Sequence, residues 1–150
     1  MQPLTLLKNS RQNLLTALAP LSLAQLNHIP QGFRNNLIWN LGHLVVTQQL
    51  LVYRNSGLQT IVPEELIVKY RKGTVPDGKA SQAERAQLER LALELIYKTA
   101  LDFEQGAFET YTPYATSYGA ILNNLHDAMV FNNVHEGLHY GYVLAQRRLV

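Results

Sequence analysis

The sequence predicts an all-α protein, a four-helix bundle, on three observations. The prolines, at positions 3, 20, 30, 63, 76 and 113, lie outside four long stretches that otherwise read as helical. Proline is kept from helix interiors because it lacks an N–H and collides with the preceding turn. Within those stretches apolar residues recur at steps of three and four, and no segment alternates as a strand would. Finally, 150 residues suffice for one well-filled core and not for two, so residues 1–150 are expected to form a single domain.

The first long helix carries Leu4, Leu7, Leu14, Leu15 and Leu18 at helical spacing and stops at Pro20. Ser22 and Gln25 form a capping-box signature for a short helix ended by Pro30. The second long helix should run from about Asn35 to Arg54 and close near Gly57, a left-handed cap. Its polar residues Asn36, Asn40, His43, Thr47 and Arg54 fall along one side, while Leu37, Leu41, Leu44 and Leu51 form an apolar stripe, and a polar row beside a histidine suits a lined cavity.

From Ser56 to Ala80 the periodicity fades, and Pro63, Gly73 and Pro76-Asp77-Gly78 mark a long connection with a short helix around Glu64 to Tyr70. The third long helix opens on a second capping box, Ser81 and Glu84, and continues through Leu88, Leu91, Leu95 and Phe103 to Gly106. The fourth is expected from near Ser117 to Arg148. These elements predict an up-down bundle whose long connection lets helices two and three lie across from each other, so that helices two and four face one another.

Composition narrows the function. Thirteen basic and eleven acidic residues are spread along the chain with a net charge of +2, and no basic block announces a nucleic-acid site. No run approaches the roughly 18 apolar residues of a bilayer span. The leucine-rich first twenty residues are interrupted by Lys8, Asn9, Arg11, Gln12 and Asn13, so they read as an amphipathic helix and not as a signal peptide. A soluble, cytoplasmic protein is expected, with no nucleic-acid or membrane partner. Without cysteine there is no disulfide, thiolate ligand or cysteine nucleophile.

The chemistry lies in the histidines. His135 and His139 stand at i and i+4, on one helix face, so two imidazoles can reach one metal ion from successive turns. His43, mid-helix in Asn40-Leu-Gly-His-Leu, is the natural third ligand, leaving further positions open to water or substrate. The string His135-Glu136-Gly137-Leu138-His139 also matches the H-E-x-x-H pattern of zinc proteases. Those enzymes take a third ligand downstream, and Tyr140 to Val150 contains no His, Asp or Glu. A di-iron carboxylate site needs two Glu-x-x-His pairs and two further glutamates, and only Glu136 and His139 form one.

The motifs Asn40-Leu-Gly-His43-Leu and Phe131-Asn-Asn-Val-His135-Glu-Gly-Leu-His139-Tyr-Gly141, in that order and with the long connection between helices two and three, resemble the DinB-like superfamily. The resemblance covers the whole chain. It implies a four-helix bundle in which His43, His135 and His139 ligate one divalent metal, with nickel, zinc and iron as the options, and it implies a homodimer. Some members resemble thiol-dependent transferases acting with bacillithiol, mycothiol or a similar low-molecular-weight thiol, and many have no assigned activity.

The remaining residues are weighed against these. His126, nine residues before His135, is about half a turn away on an ideal helix and is expected to be a non-ligand, as is His28 beside Pro30. Glu136 points about 100° from the ligand it follows; it is the one weak catalytic candidate, a general base, with a supporting contact as the alternative. Asn40, Thr47 and Asn132 lie within one turn of the expected ligands and are divided between orienting imidazoles or a bound water and a solvated helix face. Gly42, Gly137 and Gly141 imply close packing, since an interior helix glycine costs about 1 kcal/mol relative to alanine. Trp39, Tyr118, Tyr140 and Tyr142 are divided between a pocket mouth and the core. Arg54, Lys69, Tyr70, Arg71 and Lys72, near the long connection, are divided between receiving an anionic substrate and ordinary surface charge.

Two accounts of function follow. One is a metal-dependent enzyme, a thiol-dependent transferase or hydrolase, that presents an activated water or thiol to a small electrophilic substrate. The other is a non-catalytic metal-binding or small-ligand-binding dimer in which the metal ties helix two to helix four.

Overall fold

Six α-helices carry most of residues 2–150, the residues that the computed structural model describes: α1 (Gln2–Leu18), α2 (Leu23–Asn27), α3 (Leu37–Val52), α4 (Glu64–Tyr70), α5 (Gln82–Glu104) and α6 (Leu125–Gln146). Their ends follow from capping chemistry. Ser22 and Gln25 form the complete capping box at α2. Asn36 Oδ1 accepts the Trp39 N–H at the start of α3, and Gly57, at φ 73°, closes a 3₁₀ turn (Arg54–Ser56) behind it. At α5 only half of the expected box forms. Ser81 accepts the Glu84 N–H, but the Glu84 carboxylate is taken by Lys69 and the Tyr70 hydroxyl.

The fourth long helix begins later than the sequence suggested. Asn124 caps α6, and residues 114–122 fold into a hairpin of two short antiparallel strands, β1 (Tyr114–Ala115) and β2 (Ile121–Leu122). The hairpin turns at Gly119, whose φ of 77° is costly for residues with a side chain. Two-residue strands are too short to show alternation, which is why they read as the start of a helix.

The arrangement is all-α, with two corrections to its expected topology. Each of α1 and α3 packs against both α5 and α6, so α1 and α3 form one diagonal and α5 and α6 the other. The second and third long helices, α3 and α5, are therefore neighbours and do not lie across the bundle. They are also parallel: Gln48 of α3 and Tyr53 at its C-terminal cap meet Thr99 and Asp102 of α5 in the same order. In contrast, α3 and α6 are antiparallel, with Asn40 against His139 and His43 against His135. Lys8 lies over Tyr97 and Arg11 over Ala92, so α1 opposes α5. The helices thus run up, down, down, up, because residues 57–81, with α4 packed on α3, return the chain to the end from which α3 started. The expected facing of helices two and four is found as α3 against α6. No helix among the described residues is long and apolar enough to cross a membrane.

The core is rich in leucines, set on one stripe of α1 and around nearly all of α3. Along α1, Leu4, Leu7, Leu14 and Leu18 are buried, each contributing about 1.5–3 kcal/mol. Arg11 occupies the middle of that stripe and is 0% exposed. Its Nε donates to both carboxylate oxygens of Glu136 on α6 at 2.8 Å, and Nη2 donates to Glu136 as well. Nη2 also reaches the Leu44 carbonyl of α3 at 2.8 Å, and Nη1 the Ala92 carbonyl of α5 at 3.3 Å. One guanidinium therefore binds all three other long helices.

Two charges removed from water repay their desolvation only through such complete bonding, and removing one partner strands the other. Arg11→Met should destabilise the protein by about 3–5 kcal/mol in urea unfolding. The double variant Arg11→Met with Glu136→Leu should recover most of that loss. Equal stability of the single variant and the native chain would contradict this account of the pair.

Candidate metal centre

The site grows out of α3, which is buried on nearly every side. Its position 42 must be glycine, because a Cβ there would lie 2.5 Å from ring atoms of Tyr70. The close approach of α4 brings the Tyr70 carbonyl within 2.7 Å of His43 Nδ1. That carbonyl can only accept, so Nδ1 carries the proton and Nε2 keeps a free lone pair. Trp39, one turn earlier, stacks on the His43 ring with centroids 4.6 Å apart and planes at 9°, and its Nε1–H donates to Thr74 Oγ1.

From α6, His135 and His139 arrive on successive turns, as their spacing requires. His135 Nε2 lies 3.2 Å from His43 Nε2. His139 Nδ1 donates to Asn40 Oδ1 at 2.7 Å, while the Asn40 amide nitrogen donates to the Asn36 carbonyl and to Gln146 Oε1. Those bonds fix which end of the Asn40 amide faces the histidine, and so leave His139 Nε2 unprotonated. One ring nitrogen from each of the three histidines lies within 4.8 Å of the others, a group that could hold a metal ion. Tetrahedral coordination with metal–nitrogen bonds near 2.0–2.1 Å places ligand nitrogens about 3.3–3.4 Å apart, close to the His43–His135 spacing. His135 Nδ1 is buried without a hydrogen-bond partner.

Burial, first, lowers the pKa of all three imidazoles. His135 is pushed down to about 3, with His139, His43 and then Arg11 adding to the effect. His139 is pushed down to about 4 by burial and by His43. His43 is lowered by burial, against which its bond to the Tyr70 carbonyl acts. Neutral imidazole is the form that binds metal.

Other expectations divide. Asn40 orients the His139 imidazole as anticipated, and Thr47 Oγ1 stands 3.4 Å from His43 Nε2. Asn132 is buried, and neither atom of its amide is hydrogen-bonded, to an imidazole or otherwise. Glu136 is turned into the core, where Arg11 binds both its oxygens, so its carboxylate is committed to the bundle and not aimed at the imidazoles. His126 and His28 are exposed and lie outside the cluster. A Cβ at Gly137 or Gly141 would meet open space; the close packing expected there occurs only at Gly42.

Two clefts open from the imidazoles. One, of about 270 Å³, is walled by Leu50, Leu51, Phe131 and Tyr114, with Thr47, Arg54 and Asn55. The other, of about 470 Å³, is lined by Phe33, Trp39, Tyr118, Leu138 and Tyr142. Trp39, Tyr118 and Tyr142 thus reach a pocket, whereas Tyr140 packs on the main core. Lys69 and Tyr70 are occupied by Glu84, while Lys72 and Arg54 line the first cleft. Sequence reasoning missed Arg11, although a lone charge in an apolar stripe was a usable signal. It also missed the Tyr70 carbonyl, a backbone group with no signature of its own.

A family model described as the DinB superfamily matches residues 6–143. No curated protein matches the chain.

The imidazole shifts have a stability consequence in metal-free protein. In the unfolded chain each histidine takes up a proton near pH 6.5, whereas in the folded site His135 and His139 resist protonation until about pH 4 or below. The unfolded state therefore binds more protons as pH falls, and the stability present above pH 6.5 is progressively lost between about 6.5 and 4. Urea midpoints of metal-free protein should drop steadily across that window, and the drop should shrink in His135→Gln. A flat profile would show that the imidazoles are not held neutral.

Proposed function

The chain belongs to the DinB superfamily, and on that footing we propose that His43, His135 and His139 bind one divalent metal ion, nickel, zinc or iron, in a metal-dependent enzyme acting on a small electrophilic substrate. The reaction is thiol transfer or hydrolysis. The observation that carries this reading is a three-imidazole group with its lone pairs converging, two of its outer nitrogens anchored, and clefts opening beside it. Structural zinc is usually closed by four protein ligands, whereas three with an open position suit catalysis. Among the described residues no fourth His, Asp or Glu joins the group.

A bound divalent ion supplies Lewis acidity, which lowers the pKa of a water or thiol at its open position. The chain's own residues do the positioning. Tyr70 and Asn40 hold the tautomers of His43 and His139, and the Thr47 hydroxyl is placed beside His43 Nε2 to hydrogen-bond the incoming nucleophile. Because the chain has no cysteine, a thiol nucleophile is a separate low-molecular-weight cofactor.

The proposed partner is a second copy of the chain. Val130, Val134 and Leu138 are exposed along α6, and the neighbouring Gly137 and Gly141 leave room for another helix to approach.

Elemental analysis of protein purified without a nickel column should find about one metal per chain, lost in both His43→Ala and His139→Ala. Turnover of an electrophile with added thiol, or its hydrolysis, should vanish with the metal. Native protein that takes up neither nickel, zinc nor iron would overturn the metal reading, and full turnover after metal loss would overturn the catalytic one. Sedimentation equilibrium should show a dimer that Val134→Glu converts to monomer; a monomeric native chain would remove the proposed interface.

A further inference from the structure

The charge around the two clefts is one-sided. They share His43, His135, Lys72 and Ser117, so Lys72 stands where they meet, beside the imidazoles. Arg54 lines one cleft and Arg34 the other, and among the described residues neither cleft is lined by an aspartate or glutamate. The ligand set is itself neutral, so an ion held there keeps its whole positive charge.

Lys72 is itself exposed, but the backbone on either side of it is tied to α3. Two residues before it, the Tyr70 carbonyl binds His43 Nδ1, and two residues after it, Thr74 Oγ1 accepts from Trp39 Nε1. Both anchors lie on α3, within one turn of each other. Between them the Lys72 ammonium has no ion pair or hydrogen bond among the described residues, unlike Lys69, which is bound by Glu84. Arg54 meets Glu64 at 3.6 Å, but both side chains are more than half exposed, and such a pair holds little.

Resting on the metal-site reading above, we infer that the substrate is a small organic anion whose carboxylate or similar group is received by Lys72 at the junction of the clefts. Its apolar body lies against Leu50, Leu51 and Phe131. Positive potential focused by low-dielectric walls raises the local concentration of anions and disfavours cations. A pocket lined mainly by apolar groups with a few placed charges fits a small amphiphile.

Phenylacetate and its neutral counterpart phenylacetamide serve as probes, titrated by calorimetry or NMR into zinc-loaded and metal-free protein. Phenylacetate should bind both forms, and phenylacetamide at least about tenfold more weakly. Lys72→Gln should weaken phenylacetate by about tenfold in both forms, and added salt should weaken it further. Lys79→Gln, the same charge change outside the clefts, should leave it unchanged. Equal affinity for acid and amide, no binding of either at millimolar concentration, or indifference to Lys72→Gln would overturn the inference. The two readings fail separately. A chain that takes up no metal yet binds phenylacetate through Lys72 loses only the metal site, and one that binds metal without dependence on Lys72 loses only the anion site.

Discussion

The Arg11 guanidinium is the constraint on which the rest of this structure depends. Buried in the centre of the bundle, it binds the Glu136 carboxylate and the carbonyls of Leu44 and Ala92, one group on each other long helix. A leucine there would pack as well but would fix no rotation. Glu136 is one residue from His135 and three from His139, so on a helix its direction sets theirs within about 100°. With Glu136 turned toward α1, the imidazole pair is turned toward α3. Buried ion pairs are poor evidence of stability but well suited to specifying a single arrangement. In this fold the specified quantity is the heading of α6.

The opposite side of the site is set by a different means. α3 is enclosed by α2, α4, α5 and α6, and three polar side chains along it and at its start are tied down. Asn36 caps the helix, Asn40 holds His139, and His43 is held by α4. The site therefore combines an electrostatic lock on one helix with a steric fit on the other. Burial then keeps the imidazoles unprotonated, so that their geometry and their charge state have the same origin.

Much of this was legible in the sequence. Proline placement and leucine spacing located the long helices, and the capping residues Ser22 and Ser81 mark true starts. The i, i+4 pair and His43 converge as their positions suggested. Helix direction was not legible, since a connection of some twenty-five residues can either cross the bundle or return along it, and the packing of α4 on α3 decides which. Glu136 could be placed by angle but not by partner, because its partner is 125 residues away. Glu84 carries a capping-box signature, yet a buried tyrosine and a lysine on α4 compete successfully for its carboxylate. Glycine was ambiguous for a related reason: Gly42 meets a ring, while Gly137 and Gly141 meet nothing, and only tertiary structure separates the two cases.

The bond that orients His43 comes from the main chain of Tyr70, and this changes where selection can act on it. No replacement of the Tyr70 side chain deletes a carbonyl, so a scan of single substitutions at position 70 reports on packing and on the Glu84 contact but is blind to the hydrogen bond. The contact is exposed to mutation indirectly, at position 42, where any side chain pushes the ring and its backbone away from α3. Heritable control of the His43 tautomer thus resides in a residue that has no side chain and carries no charge.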